Sequence, residues 1–218
     1  MTISSIKAVL FDLDGTLIDS EFFYYSNWAP ILKEEFGLNI TFNDWIKDFA
    51  GHTLSANVQM LKERFDIHTD DEFMWQRTRA NYAKADMTTI RLMPFVKETL
   101  HTLHAKGIRT ALVTSSYMST VNTVLGHHNL LDDFEFFVTR EAVQYPKPDP
   151  EPYLLATERL ALPSNSIMAV EDTLTGFRAA TGAGLRCVAV TKHQAEKERL
   201  SQAEFLVEDL SQFLDIIV

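Results

Sequence analysis

Cysteine is nearly missing from this chain: Cys187 is the only one in 218 residues. No intrachain disulfide can form. A lone thiol inside the apolar run Arg186-Cys187-Val188-Ala189-Val190 reads as a packing residue rather than a nucleophile. Long apolar runs are missing too. No stretch reaches the roughly 18 residues that mark a membrane-spanning helix, and the start lacks the basic-then-apolar order of a secretory signal. A reducing cytoplasm, away from membranes, is the expected setting. Positive charge is short: 20 Lys and Arg stand against 30 Asp and Glu, a net charge of −10. Such a chain repels phosphate backbones, so no nucleic-acid partner is expected. A small anionic substrate remains compatible if cations or backbone N–H groups line one site. Repeats and low-complexity segments are absent as well, and a monomer is the expected state.

Hydrophobic residues make up 46% of the chain, enough for a large core or for one domain carrying an insertion. Strand-like runs end at Asp12 and near Thr114, Thr139, Val170 and Val190, with a short one at Phe205–Val207. Helical patterns lie between them. Val96, Leu100 and Leu103 share one face before Gly107, and Asp149-Pro150 opens a helix holding Tyr153, Leu154, Ala156 and Leu160. The alternation predicts an α/β fold with a Rossmann-like parallel sheet core. One segment breaks the rhythm. Residues 21–91 carry no convincing strand, only helical candidates at 21–36, 42–49, 54–65 and 70–86. All three tryptophans are here, with seven of the fifteen phenylalanines. This is too long for a simple crossover. The expected division is a catalytic core of 1–20 and 92–218 with a small α-helical cap domain, 21–91, placed to cover the site.

The chemistry gathers at strand ends, where open parallel sheets bind ligands. The first strand, Ala8 to Phe11, runs into Asp12 and Asp14, followed by Gly15. Two acids there cost desolvation and self-repulsion unless a cation or a shared proton offsets them. The second strand ends in Thr114-Ser115-Ser116, hydroxyls and successive N–H groups suited to phosphate oxygens. Lys147 is bracketed by Pro146 and Pro148, which stiffen its loop. The fourth strand ends in a second acidic pair, Glu171-Asp172. Carboxylates select hard Mg²⁺, and the hydroxyl and ammonium suit phosphoryl oxygens. The set is what phosphoryl transfer requires: positioning and charge stabilisation.

Asp12-Leu13-Asp14-Gly15-Thr16, Thr114, Lys147 and Glu171-Asp172 together resemble, in order, the four motifs of the haloacid dehalogenase superfamily of aspartate-nucleophile phosphatases. Asp19-Ser20-Glu21 and the run from Lys147 to Tyr153 resemble the subgroup of β-phosphoglucomutase and sugar-phosphate phosphatases, whose first-type cap the insert resembles. The resemblance implies Asp12 as nucleophile and metal ligand, and Asp14 as acid and base whose backbone carbonyl, not its carboxyl, meets Mg²⁺. It implies Asp172 as a direct metal ligand, Glu171 as one directly or through water, and Thr114 and Lys147 as holders of the phosphoryl oxygens. Lys147 would also offset the crowding of Asp12 against Asp172, and Ser115 and Ser116 would add backbone donors.

Departures sharpen this. Tyr24 stands where the mutase has a histidine, and the cap loop Phe49–Leu54 offers His52 beside Gly51 where the mutase has lysine and arginine. Tyr24, Gly51 and His52 are the expected substrate contacts, with Arg77, Arg79 and Asn81 next. Phe95 replaces the glycine usual after Pro94. The implied activity is Mg²⁺-dependent hydrolysis of small phosphorylated metabolites, sugar phosphates above all, through an aspartyl-phosphate. A phosphosugar mutase is the alternative. A receiver-type signalling domain shares the Asp, Thr and Lys but has no cap.

Overall fold

The computed structural model describes residues 6–50 and 52–217. In chain order the elements are β1 (Ala8–Phe11), α1 (Glu21–Phe36), α2 (Phe42–Asp48), α3 (Leu54–Phe65), α4 (Asp71–Tyr82), α5 (Val96–Ala105), β2 (Arg109–Val113), α6 (Met118–His127), β3 (Phe137–Val138), α7 (Glu151–Leu160), β4 (Ile167–Glu171), α8 (Leu174–Gly182), β5 (Arg186–Val190), α9 (Gln194–Arg199), β6 (Phe205–Val207) and α10 (Leu210–Ile217). The chain divides into two compact units. One takes in the chain up to Asp19 and again from Ile90; the other is Ser20–Thr89.

The first unit is an α/β fold around one six-stranded sheet, ordered β3-β2-β1-β4-β5-β6 and parallel throughout. All four residues of β1 are fully buried, as an apolar central strand between two covered faces requires. Phe11 lies opposite Leu112 of β2 and Val170 of β4. The chain first moves from β1 towards β3, then returns to build β4, β5 and β6 on the other side. That reversal opens a crevice at the carboxyl ends of β1 and β4. On one face, Leu10 packs in a cluster with Tyr153 and Ala156 of α7 and Phe177 and Ala180 of α8. The small residues of α8 let it lie close to the sheet. On the other face, Phe11 meets Phe213 of α10 edge-on at 6.0 Å. Burying a ring of that size is worth about 1.5–3 kcal/mol.

The helical unit has its own core: Trp28, Ile31, Leu32, Trp45, Phe49, Val58, Leu61 and Met74. Trp45 and Phe49 stack at 5.4 Å, and Trp28 meets Trp45 edge-on at 5.8 Å. Local chemistry sets the helix starts. Thr41 and Asp44 form a reciprocal capping box, Thr53 accepts the Ala56 N–H, and Asp70 accepts the Phe73 N–H. The helix expected over 70–86 stops at Tyr82. There Asp86 accepts bonds from the Thr88 N–H and hydroxyl and draws the chain into a short turn instead. Among the described residues, no helix is long and apolar enough to cross a membrane.

Candidate active site

Asp12 is the residue after β1, and its N–H continues the ladder to Val170 O at 3.0 Å. Its carboxyl therefore emerges at the sheet's carboxyl edge, yet only 7% of the residue is exposed. Lys147 reaches it from the proline-bracketed loop. The ammonium donates to Asp12 Oδ1 at 2.6 Å, Glu171 Oε1 at 2.6 Å and Val113 O at 2.8 Å. Those three bonds use all three of its donors. The loop is itself braced: Glu151 accepts the N–H groups of Gln144 and Tyr145 at 2.9 and 2.7 Å.

Electrostatics follow from this crowding. Burial pushes the Asp12 carboxyl up to about 8; Glu171 and Asp14 add to the rise, and Lys147 opposes it. Burial also works against the Lys147 charge, but attraction to Asp12 and Glu171 outweighs it and holds the ammonium's pKa above its usual value. Lys147 stands between Asp12 and Glu171, the last residue of β4.

One carboxylate oxygen from each of Asp12, Glu171 and Asp172 lies within 4.8 Å of the other two. Both acids of the second pair need glycine nearby. A side chain at Gly15, whose φ is +79°, would strike the Asp172 carboxylate, and one at Gly176 would strike that of Glu171. Three carboxylates, two of them bonded by one ammonium, suit a divalent cation, which would also draw down the raised pKa of Asp12. The Asp14 carboxyl lies outside this trio and accepts the Ser116 hydroxyl at 2.7 Å.

Thr114 follows β2 and is 3% exposed. Its N–H bonds Val138 O, and its Oγ1 accepts the Ser116 N–H at 3.0 Å. The expectation that Ser116 offers a backbone donor is therefore corrected: its N–H is committed to Thr114, and its hydroxyl is what it turns to Asp14. Ser115 is exposed in the same turn. Glu141 caps the helix that follows, accepting Met118 N–H with both oxygens at 3.1 and 3.3 Å.

One residue of this cluster is absent from the sequence-based set. Tyr153, fully buried on α7, donates its hydroxyl to Glu171 Oε1 at 2.5 Å, and its ring lies 5.2 Å from the Lys147 ammonium. Burial and the Glu171 charge push its phenol well up, so the proton stays on as donor.

The remaining candidates belong to the helical unit. Tyr24 packs with Phe23 and Tyr82, each ring pair at 6.1 Å. His52 is exposed, and its N–H reaches Phe49 O at 3.4 Å. Gly51 lies outside the described residues. Arg77 pairs with Glu35, Arg79 lies 5.0 Å over the Trp75 ring, and Asn81 donates to Asn27 O at 2.9 Å. All three thus have structural work within their own unit.

The chain resembles known proteins along nearly its full length. It is 32% identical over 211 residues to validoxylamine A 7'-phosphate phosphatase of Streptomyces hygroscopicus, covering 94% of this chain and 95% of that one. It is 29% identical to a phosphorylated carbohydrates phosphatase of Thermotoga maritima, covering 86% of each. A solved HAD family hydrolase of Deinococcus radiodurans, with bound phosphate and sodium, superposes with a TM-score of 0.77 at 25% identity, covering 97% of this chain and 94% of that one. A family profile described as haloacid dehalogenase-like hydrolase matches residues 9–190. That span runs from β1 to the last residue of β5 and takes in Asp12, Thr114, Lys147, Glu171 and Asp172, and with it the chain belongs to the haloacid dehalogenase-like hydrolases.

Proposed function

We propose that this protein is a Mg²⁺-dependent phosphatase of small phosphorylated metabolites, sugar phosphates foremost, and that it works through an aspartyl-phosphate on Asp12. The observation that carries the reading is the Asp12–Lys147–Glu171 cluster, a buried acid at a strand end bonded to a buried lysine beside a second acidic pair. The relatives named above act on phosphorylated compounds and support the reaction class.

The chain's own groups divide the work. An Asp12 carboxylate oxygen attacks phosphorus, the phosphorus–ester oxygen bond breaks, and Asp14 gives its proton to the departing oxygen. Asp14, now a carboxylate, takes a proton from the water that attacks the acyl phosphate, and Asp12 is released with inorganic phosphate. The Ser116 hydroxyl holds the Asp14 carboxyl in place for both transfers. Thr114 holds a phosphoryl oxygen, and Lys147 takes another by giving up one of its three present bonds to it. Asp12, Asp172 and Glu171, with the Asp14 backbone carbonyl, would hold Mg²⁺, which when bound supplies charge neutralisation to the phosphoryl group. The helical unit is assigned the choice of substrate, through Tyr24, His52 and Gly51.

The test is a screen of phosphorylated metabolites with Mg²⁺, reading free phosphate. Sugar phosphates should be turned over by the native chain and not by Asp12→Asn. Interconversion of phosphosugar isomers without phosphate release would move the protein to the mutase class. Full turnover in excess chelator would remove the metal from the account.

A further inference from the structure

Glu171 is held on three sides. Its Oε1 accepts both the Lys147 ammonium, at 2.6 Å, and the Tyr153 hydroxyl, at 2.5 Å. Its carboxylate also lies against Gly176 so closely that a Cβ there would collide with it. Both donors come from groups that are themselves fixed. Tyr153 is fully buried in α7, and Lys147 spends its other two donors on Asp12 and Val113. A carboxylate oxygen that accepts two such bonds, one from a cation, has both in-plane lone pairs engaged. It has little left for a metal, and the carboxylate has little freedom to pivot.

We infer that Tyr153 is a positioning residue that sets metal choice: by occupying Glu171 Oε1 together with Lys147, it limits Glu171 to one-oxygen coordination and so favours Mg²⁺ over Ca²⁺. The physical contrast is plain. Mg²⁺ requires near-octahedral geometry at short distance from single oxygens, whereas Ca²⁺ takes six to eight ligands and readily accepts both oxygens of a carboxylate. A Glu171 pinned at Oε1 serves the first ion and starves the second. Removing the tyrosine hydroxyl would free one lone pair, let the carboxylate turn, and open a bidentate mode. This inference rests on the metal-dependent reading proposed above.

The test is calorimetric titration of the whole chain with Mg²⁺ alone and with Ca²⁺ alone, so it does not depend on turnover. In Tyr153→Phe, Mg²⁺ affinity should fall by about tenfold, the scale on which outer-shell partners act. Ca²⁺ affinity should hold or rise, so the Mg²⁺-to-Ca²⁺ ratio drops about tenfold or more. In a Glu171→Gln background the same tyrosine change should leave the ratio where it was, because the carboxylate it acts through is gone. Circular dichroism checks the fold, and Tyr153→Met, which fills the site without a hydroxyl, must move the ratio the same way. An unchanged ratio in both folded variants, or an equal loss for both ions, would overturn the inference while leaving the metal site standing. No binding of either ion by the native chain would instead overturn the metal-dependent reading, and this inference with it.

Discussion

The helical unit and the α/β unit bury different kinds of polar group. Among the described residues, the buried polar side chains of the helical unit are Ser20, Asn27, Asn57 and Thr78, hydroxyls and amides around an aromatic core. The α/β unit also buries Asp12, Lys147 and Glu171, three ionisable groups within one hydrogen-bonded set. Charges taken out of water cost several kcal/mol each unless they are paired. A fold that needs only stability can fill such positions with apolar side chains, as the helical unit does. Concentrating them at one strand end, at the sheet's topological switch point, marks where chemistry takes precedence over packing. The cations of the helical unit make the same contrast from outside: Arg77 and Arg79 sit on its surface, paired with Glu35 and stacked on Trp75.

The contrast is sharpest in what a lost cation does. Lys147→Ala strands Asp12 and Glu171, and should destabilise the chain by about 3–5 kcal/mol; Arg77→Ala removes a surface pair worth about 0–1 kcal/mol. Denaturant titration of both variants measures it, and equal losses would erase the distinction between the units. Within the α/β unit, Asp14→Asn should slow release from sugar phosphates by about 10²–10⁴-fold. Aryl phosphates, whose leaving group needs little protonation, should lose much less. Steady-state kinetics on both classes decide it, and matched losses would reduce Asp14 to a structural acid.

The buried acid should also show in pH dependence. Asp12 is raised from 3.8 to about 8 in the metal-free protein. For an acid raised on folding, the stabilising contribution is complete below its unfolded value and is lost as pH rises through the folded one. Metal-free stability should therefore decline from about pH 4 to about pH 8 on account of this group. Cation binding displaces that proton, so Mg²⁺ affinity should rise about tenfold per pH unit and level off near pH 8. Calorimetry across pH 6–9, a range set by that value, reads the slope, and a flat profile would speak against a protonated Asp12.

Smaller effects probe the helical unit and the start of α5. Tyr24→Phe combined with His52→Ala should shift relative kcat/KM between substrates by about tenfold, the size of one pocket contact. An unchanged substrate profile would move specificity to other residues of that unit. Phe95 holds a left-handed φ of +66° and is 44% exposed. Phe95→Gly relieves a conformation that costs a bulky residue about 1–2 kcal/mol, part of which glycine returns as chain entropy. A net gain of about 0.5–1 kcal/mol in thermal unfolding is expected, and a loss would mean that the ring has a partner.

The strands were legible because they are short apolar runs with acids at their ends: β1 reads directly from Ala8–Phe11 followed by Asp12. The prolines flanking Lys147 likewise announce a fixed lysine. Three features were not legible, all for the same reason. Tyr153 looked like one more apolar position on the face of α7, and only the tertiary approach of β4 gives its hydroxyl a partner 18 residues on. Ser116 was credited with a backbone donor, but its hydroxyl meets an acid 102 residues away. The third is the bond from Lys147 to Glu171: adjacent residues at a strand end point in opposite directions, and the sequence pattern does not say which one faces the loop. Local pattern places elements; the partner of a buried polar group is decided by which elements pack together.

The central claim is that a covalent phosphoryl transfer runs through Asp12. Its most direct test mixes the native chain with a turned-over phosphate ester and Mg²⁺, quenches in acid, and treats the trapped protein with borohydride before peptide mass spectrometry. An acyl phosphate at Asp12 would be reduced there to homoserine, in the native chain and not in Asp12→Asn. Reduction at another residue, or none while phosphate is being released, would contradict it.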